Sequence, residues 1–245
     1  TKVNYLKVIQ LKNIIIASTS TLYGCDYLEY LLKDLEELYK DIKDIIFVPY
    51  ARPDGISHEL YTKKVSAVFK RIKKSIKGLH EFKNPEEAIK NCEAIFVGGG
   101  NTFVLVNELQ KNNLIDPIKK AVCAGVPYLG TSAGSNITGL TMQNTNDMPI
   151  IYPASFTTLG FIKFNLNCHY LDPDANSKHM GETRETRINE YHTINNTSVL
   201  GLREGSWLDV RGNKVVLKGK LHARLFQPKK QAVELPPETD LSFLM

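Results

Sequence analysis

The sequence is poor in cysteine, and the few it has are widely spaced. It has 245 residues and four cysteines, none of them in a C-x-x-C pair. The spacing indicates neither a disulfide framework nor a structural zinc site, and it suits a reducing cytoplasm, which is the location we expect. The four cysteines are Cys25, Cys92, Cys123 and Cys168.

Long apolar runs are also missing. No segment approaches the roughly 20 apolar residues of a membrane span. The opening residues 1–10 lack the run of about 7–15 apolar residues that a signal peptide needs. We therefore expect neither a membrane-spanning helix nor a signal peptide.

The charge balance is close to even. The formal net charge is +5, with 42% hydrophobic and 23% charged residues, which is ordinary for a globular protein. The short basic run at residues 71–74 has no interleaved aromatic residues, so it indicates a solvated helix face rather than a nucleic-acid site. We expect no nucleic-acid partner.

Apolar strands alternate with amphipathic helices along the first half of the chain. Strands that are apolar on both faces, connected by helices, predict a doubly wound α/β fold with a mostly parallel sheet and helices on both faces. The predicted strands are residues 13–17, 45–48, 79–82, 94–97 and 126–129. The predicted helices are residues 26–39, 61–74, 102–110 and 116–125, with another beginning at residue 84.

The pattern changes after Pro173. A helix is predicted over residues 183–191, followed by short strands at 198–202, 206–210, 215–217 and 223–226. We expect these strands to finish the same sheet as antiparallel edge strands. No internal repeat, low-complexity tract or linker divides the chain, so we expect one domain over residues 1–245.

A G-x-S-x-G pattern follows the apolar run at residues 126–129. Read as strand, sharp turn and helix, it places Ser132 at the turn with an exposed hydroxyl. The amide of Ala133 would then lie at the N-terminus of the helix, where an oxyanion is best stabilised. The same five residues also fit an ordinary strand-to-helix turn.

A serine nucleophile needs a base, and the base needs an orienting group. His169 follows the apolar alternation of residues 161–168, so it is expected at a strand end that can meet Ser132. Asp147, in the loop between them, is the candidate orienting acid. Asp172 and Asp174 remain competitors, although both also fit a turn beside Pro173.

Three glycines, Gly98 to Gly100, end another predicted strand. They do not form a dinucleotide-binding fingerprint, because Phe103 occupies the third glycine position, and no P-loop pattern follows. The backbone of this loop can approach a ligand closely and supply a second oxyanion donor. A tight turn needed for packing is the alternative.

Six blocks of sequence, in order along the chain, resemble peptidase E, the α-aspartyl dipeptidase family of serine peptidases. They span the chain from about residue 13 to residue 226, and residues 1–10 form an N-terminal extension outside the resemblance. The blocks are FVGGGNTF at 96–103, GTSAGSN at 130–136, TNDMPI at 145–150, NLNCHY at 165–170, GETRETR at 181–187 and VLGLREGSW at 199–207.

The resemblance implies a fold similar to class I glutamine amidotransferases and hydrolysis of dipeptides with an N-terminal aspartate. It implies no metal and no organic cofactor, and a small peptide as the partner. It also implies a role for each matching residue. These residues are Ser132 as nucleophile, His169 as base, Asp147 as orienting acid, the amides of Gly100 and Ala133 as oxyanion hole, and Arg184, Glu182 and Asn101 as substrate-binding residues.

Three other readings stay open. A cyanophycinase-like enzyme shares the serine turn and cleaves β-linked aspartyl peptides. An α/β-hydrolase esterase is disfavoured, because only 37 residues separate Ser132 from His169. A binding protein without activity would be expected to have lost Ser132, Asp147 or His169, and all three are present.

Overall fold

A seven-stranded sheet forms the centre of the structure, a computed structural model that describes residues 11–174, 176, 178 and 180–245. The expected N-terminal extension, residues 1–10, lies outside the described residues. The strands are β1 Asn13–Ala17, β2 Asp44–Val48, β3 Ser75–Gly78, β4 Ile95–Val97, β5 Tyr128–Thr131, β6 Asn165–Cys168, β7 Val199–Leu202, β8 Ser206–Arg211, β9 Lys214–Gly219, β10 Ala223–Phe226 and β11 Val233–Leu235. The α-helices are α1 Leu32–Leu38, α2 His58–Phe69, α3 Pro85–Lys90, α4 Thr102–Lys111, α5 Ile115–Cys123, α6 Ala133–Asn136 and α7 Arg184–Tyr191.

The order of the strands in the main sheet is β3-β2-β4-β5-β1-β8-β9. The first five are parallel, and β8 and β9 are antiparallel to their neighbours. The predicted α/β class with a mostly parallel sheet is therefore confirmed. In such a sheet the carboxyl ends of β1, β2, β4 and β5 lie at one edge, which is where ligands bind in this class.

Helices cover both faces, because alternate residues of each central strand point to opposite sides. Ile14 and Ile16 of β1 face one hydrophobic cluster, to which α3, α4, α5 and α6 contribute. Ile15 and Ala17 face a second cluster, to which α1 and α2 contribute. Helices α2 and α4 therefore lie on opposite faces of the sheet.

A second, four-stranded sheet has the order β11-β10-β7-β6. The expectation that all late strands finish the main sheet was wrong, since only β8 and β9 do so. Strand β7 instead pairs in parallel with β6, and β10 pairs with β7 and β11. Leu200 and Leu202 of β7 pack into the α4-side cluster of the main sheet, so the small sheet shares its hydrophobic core.

Local differences from the predicted elements have local causes. Leu28 adopts a left-handed conformation, so the predicted helix over 26–39 becomes a 3-10 turn, Glu29–Leu31, followed by the short helix α1. The strand predicted at 79–82 is a 3-10 turn, Leu79–Glu81, and β3 lies just before it. Among the described residues, no helix combines the length and apolar composition that crossing a bilayer requires.

Candidate active site

Ser132 occupies a strained turn between β5 and α6. Its backbone has φ 53° and ψ −110°, a region that residues with a side chain rarely adopt. The turn is tight because α6 packs against β4, and a Cβ at Gly134 would collide with the carbonyl of Val97. The strain and the glycine together keep the Ser132 hydroxyl at the carboxyl edge of the sheet.

The hydroxyl of Ser132 contacts His169 directly. The Oγ of Ser132 lies 2.8 Å from Nε2 of His169, and Nδ1 of His169 lies 2.6 Å from Oε1 of Glu204. The three side chains thus form a hydroxyl–imidazole–carboxylate series. Both distances are within hydrogen-bond reach, which is the geometric requirement for a nucleophile, its base and an orienting acid.

Parallel pairing of β6 and β7 brings His169 and Glu204 together. Cys168, the last residue of β6, is in register with Leu202, the last residue of β7. The amide of His169 donates to Oγ of Ser18 (2.9 Å), which in turn donates to the carbonyl of Leu202 (2.7 Å). Ser18, which follows β1, therefore links the ends of β6 and β7 by hydrogen bonds.

Asp147 is not in contact with His169, in contrast to the role implied by the resemblance. Its Oδ2 accepts hydrogen bonds from the amide of Thr102 (2.7 Å), from Oγ1 of Thr102 (2.6 Å) and from Oγ1 of Thr145 (2.9 Å). The carboxylate sits at the N-terminus of α4, where a negative charge is favoured by the helix dipole. Glu204 occupies the place beside His169 instead.

The loop Gly98 to Gly100 lies against the serine turn. A Cβ at Gly99 would be 2.9 Å from Cβ of Ser132, and a Cβ at Gly100 (φ 146°) would collide with the carbonyl of Ala51. The amide of Ser132 is already bonded to the carbonyl of Ala17. Within the described chain, the amides of Gly100 and Ala133 donate to no acceptor. They are therefore available to an oxyanion.

Both polar atoms of the Asn101 side chain form hydrogen bonds with the protein backbone. Its Oδ1 accepts from the amide of Val104 (3.1 Å) and so caps α4. Its Nδ2 donates to the carbonyl of Met148 (2.9 Å). The contacts of Asn101 thus indicate a residue that holds the 147–148 loop to the start of α4, and they give no support to the predicted contact with substrate.

Arg184 begins α7 and is half-buried. Burial lowers the pKa of its guanidinium from the ordinary value, and nearby Arg187 acts in the same direction while the charge of Asp147 opposes it. Arg184 and Glu182 line one cavity of about 390 Å³, together with residues of the 171–174 segment that follows His169. Glu182 is exposed and lies 3.8 Å from Nε of Arg187.

This geometry can perform acyl transfer. The imidazole can take the proton of Ser132 as the hydroxyl attacks a carbonyl, and the two unpaired amides can stabilise the oxyanion that forms. Among the described residues, no group of three or more His, Cys, Asp and Glu side chains comes together in a way that could hold a metal ion.

Comparison with known proteins identifies the family. The family model described as Peptidase family S51 matches residues 14–218.

The chain belongs to peptidase family S51.

Two curated relatives of this S51 chain match almost all of it. A Drosophila melanogaster protein named "Probable alpha-aspartyl dipeptidase" is 44% identical over 237 residues, covering 96% of this chain and 98% of that protein. Peptidase E of Streptomyces coelicolor is 43% identical over 233 residues, covering 95% of each. The resemblance to peptidase E inferred from the six sequence blocks is therefore confirmed.

A solved structure shares the fold. A peptidase from an acI-B1 Actinobacterium superposes with a TM-score of 0.73 at 16% sequence identity, covering 98% of this S51 chain and 100% of that chain. At this identity the likeness supports the fold alone.

Glu204 is the site residue that sequence reasoning missed. It lies in the VLGLREGSW block, two residues after the predicted strand at 198–202 and outside the stretch from Ser132 to residue 174 that holds the candidate acids. A signal was available: an acid shortly after an apolar strand is placed at a sheet edge, as His169 is. Recognising it required knowing that β7 pairs with β6.

Proposed function

We propose that this S51 peptidase is a serine dipeptidase that hydrolyses dipeptides with an N-terminal aspartate, using Ser132, His169 and Glu204. The observation that carries the proposal is the series of contacts from Ser132 Oγ to His169 Nε2 and from His169 Nδ1 to Glu204. The names of the two curated relatives support the substrate class. Glu204 replaces Asp147 in the role of orienting acid.

The reaction begins with attack by Ser132 on the aspartyl carbonyl. Nε2 of His169 takes the hydroxyl proton, and Glu204 holds the imidazole through Nδ1 and stabilises the imidazolium. The amides of Gly100 and Ala133 donate to the oxyanion of the tetrahedral intermediate. His169 then protonates the leaving amine, and the peptide C–N bond breaks.

The second half of the reaction releases the aspartate. His169 takes a proton from water, the resulting hydroxide attacks the acyl ester, and Ser132 is protonated as the ester bond breaks. Each step uses groups of this chain and water alone. The reaction we propose therefore requires no metal ion and no organic cofactor.

Selection of aspartate is assigned to Arg184. A guanidinium binds a carboxylate with two parallel hydrogen bonds, which an ammonium cannot reproduce. The negative charge of Asp147 favours the charged form of Arg184, and Asp147 accepts a hydrogen bond from the amide of Thr102 at the start of α4. We propose that Asp147 supports Arg184 through its charge and holds the start of α4 in place. Glu182 is the weaker candidate for contact with the substrate amino group, because it is exposed.

The substrate class is tested by comparing four dipeptides under one set of conditions: Asp-Leu, Asn-Leu, Glu-Leu and β-Asp-Leu. We expect rapid cleavage of Asp-Leu and slow or no cleavage of the other three. Preferential cleavage of β-Asp-Leu would favour a cyanophycinase-like activity, and cleavage of none would refute the aspartyl dipeptidase assignment.

We also propose a cytoplasmic location. All four cysteines are free thiols in the structure, and Cys168, next to His169, is buried. Free thiols of this kind suit a reducing compartment. Fractionation of cells that express the tagged protein tests this, and recovery in a secreted or membrane fraction would contradict it.

A further inference from the structure

We propose that a cationic cavity on the α2 side of Ser132 binds the C-terminal carboxylate of the residue that leaves, with Arg52 as its main ligand. The inference rests on the proposed function, because it assigns the second half of the same substrate. The cavity has a volume of about 360 Å³ and is lined by the segment after β1, the segment after β2 and one face of α2.

The cavity reaches the nucleophile through a short chain of contacts. Tyr61 of α2 forms part of its wall, and the Tyr61 hydroxyl accepts a hydrogen bond from the amide of Gly99 (3.1 Å). Gly99 in turn abuts Ser132, since a Cβ there would lie 2.9 Å from Cβ of Ser132. One glycine therefore separates the wall of the cavity from the reacting serine.

The position of the cavity fits the leaving residue rather than the aspartyl residue. Asp147, whose charge acts on Arg184, lies at the start of α4, which covers one face of the main sheet. Helix α2 covers the opposite face. With the aspartyl side chain directed to Arg184 and the scissile bond over Ser132, the second residue extends toward α2.

The charges of the cavity suit a carboxylate. The guanidinium carbon of Arg52 lies 5.1 Å from the ring centroid of Tyr61, and Nζ of Lys64 lies 5.1 Å from the ring centroid of Tyr27. Both cations are held over aromatic faces, and neither forms an ion pair within the described residues. Their N–H donors therefore stay available to a ligand.

One acid also lines the cavity. Asp54 accepts a hydrogen bond from the amide of Gly55 (2.7 Å). Together Arg52, Lys64 and Asp54 give the lining of the cavity a net charge of +1. Arg52 is better suited than Lys64 to be the main ligand, because its planar fork matches a carboxylate. The volume lies at the lower end of the roughly 300–1,000 Å³ of small-molecule sites, which suits a single residue.

The test compares Asp-Leu with its C-terminal amide, Asp-Leu-NH2, in the wild type and in Arg52→Gln. We expect the wild type to favour the acid over the amide by about 10-fold or more in kcat/KM, the effect of one hydrogen bond to a charged group. Arg52→Gln is expected to abolish most of this preference by raising KM for the acid. Lys64→Gln is expected to reduce it less.

Lys63→Gln is the matched control, because Lys63 is the exposed neighbour of Lys64 and does not line the cavity. It should keep the wild-type preference. A wild-type preference near one, or a preference that Arg52→Gln leaves intact, would overturn the inference.

Two further results would also overturn it. An equal loss on both substrates in Arg52→Gln would mean that Arg52 only supports Tyr61 and the Gly99 loop. If the wild type cleaves neither the acid nor the amide, the proposed function fails and this inference fails with it. In contrast, if both substrates are cleaved and Arg52→Gln leaves the preference for the acid unchanged, this inference fails while the proposed function stands.

Discussion

Glu204 and Asp147 are both carboxylates near Ser132, but they contact different partners. Glu204 contacts the imidazole of His169, whereas Asp147 accepts three hydrogen bonds from Thr102 and Thr145. Glu204 therefore orients the base, whereas Asp147 stabilises the start of α4 and the charge of Arg184. Removing the charge of Glu204 should change a different kinetic constant from removing the charge of Asp147.

Glu204→Gln is expected to lower kcat for Asp-Leu by about 10²–10⁴-fold with little change in KM, since it disturbs the orientation of His169. Asp147→Asn is expected mainly to raise KM, because it removes a negative charge that favours the charged form of Arg184. Steady-state kinetics of the two variants side by side measures both effects. The reverse pattern, with kcat more sensitive to Asp147 than to Glu204, would restore Asp147 as the orienting acid.

Arg184→Ala is expected to lower kcat/KM for Asp-Leu by about 10–100-fold, the effect of removing a hydrogen bond to a charged group. Any slow cleavage of Asn-Leu should fall much less, so the selectivity for aspartate is the quantity to measure. Arg211→Ala, at the exposed end of β8, is the control and should leave the selectivity unchanged. An equal loss on both substrates would contradict the specificity role.

At the level of elements, the parallel pair β6 and β7 assembles the base and its acid. Arg203 holds the segments around this pair: it donates to Asp172 after His169 (2.9 and 2.7 Å) and to Glu234 of β11 (2.9 and 2.9 Å). Hydrogen bonds from Arg203 are the main reason that the pKa values of Asp172 and Glu234 lie below their ordinary range.

Arg203→Gln is expected to lower the free energy of unfolding by about 1 kcal/mol at neutral pH, a modest loss because both carboxylates are partly exposed. Since the folded state lowers both pKa values, this contribution is present above their unfolded values, roughly 4, and is lost as the pH falls through the folded values.

Urea unfolding at several pH values checks this expectation for Arg203. The difference between wild type and variant should be largest near pH 7 and should shrink below about pH 4. Arg211→Gln, which removes the ion pair of a more exposed arginine with Asp209, is the control. A difference that grows toward acid would show that the carboxylates do not provide the contribution.

Features that depend on neighbouring residues could be predicted from the sequence, whereas the pairing of distant strands could not. Most apolar strands of the main sheet and the strand-to-helix turn at Ser132 depend on neighbouring residues, so they were predicted correctly, although the apolar run at 79–82 was not. His169 was expected at a strand end for the same reason, and it lies there. The pairing of β7 with β6 depends on contacts between distant segments, and without it neither the second sheet nor Glu204 could be predicted.

At the scale of the whole molecule, we assign the two residues of the dipeptide to opposite faces of the main sheet around Ser132. Asp147 lies at the start of α4 on one side, and its charge acts on Arg184, which we assign to the aspartyl residue. The α2 side carries Arg52, which we assign to the leaving residue. The small sheet supplies His169 while sharing the core of the main sheet. That residues 1–245 form one domain stays a prediction.

The role of Ser132 as nucleophile is tested most directly by the hydrolysis of Asp-Leu by Ser132→Ala. We expect a loss of kcat on the order of 10⁴–10⁶-fold with an unchanged unfolding curve, and normal activity in the control Ser155→Ala, an exposed serine away from the turn. Substantial cleavage of Asp-Leu by a pure preparation of Ser132→Ala would show that Ser132 is not the nucleophile.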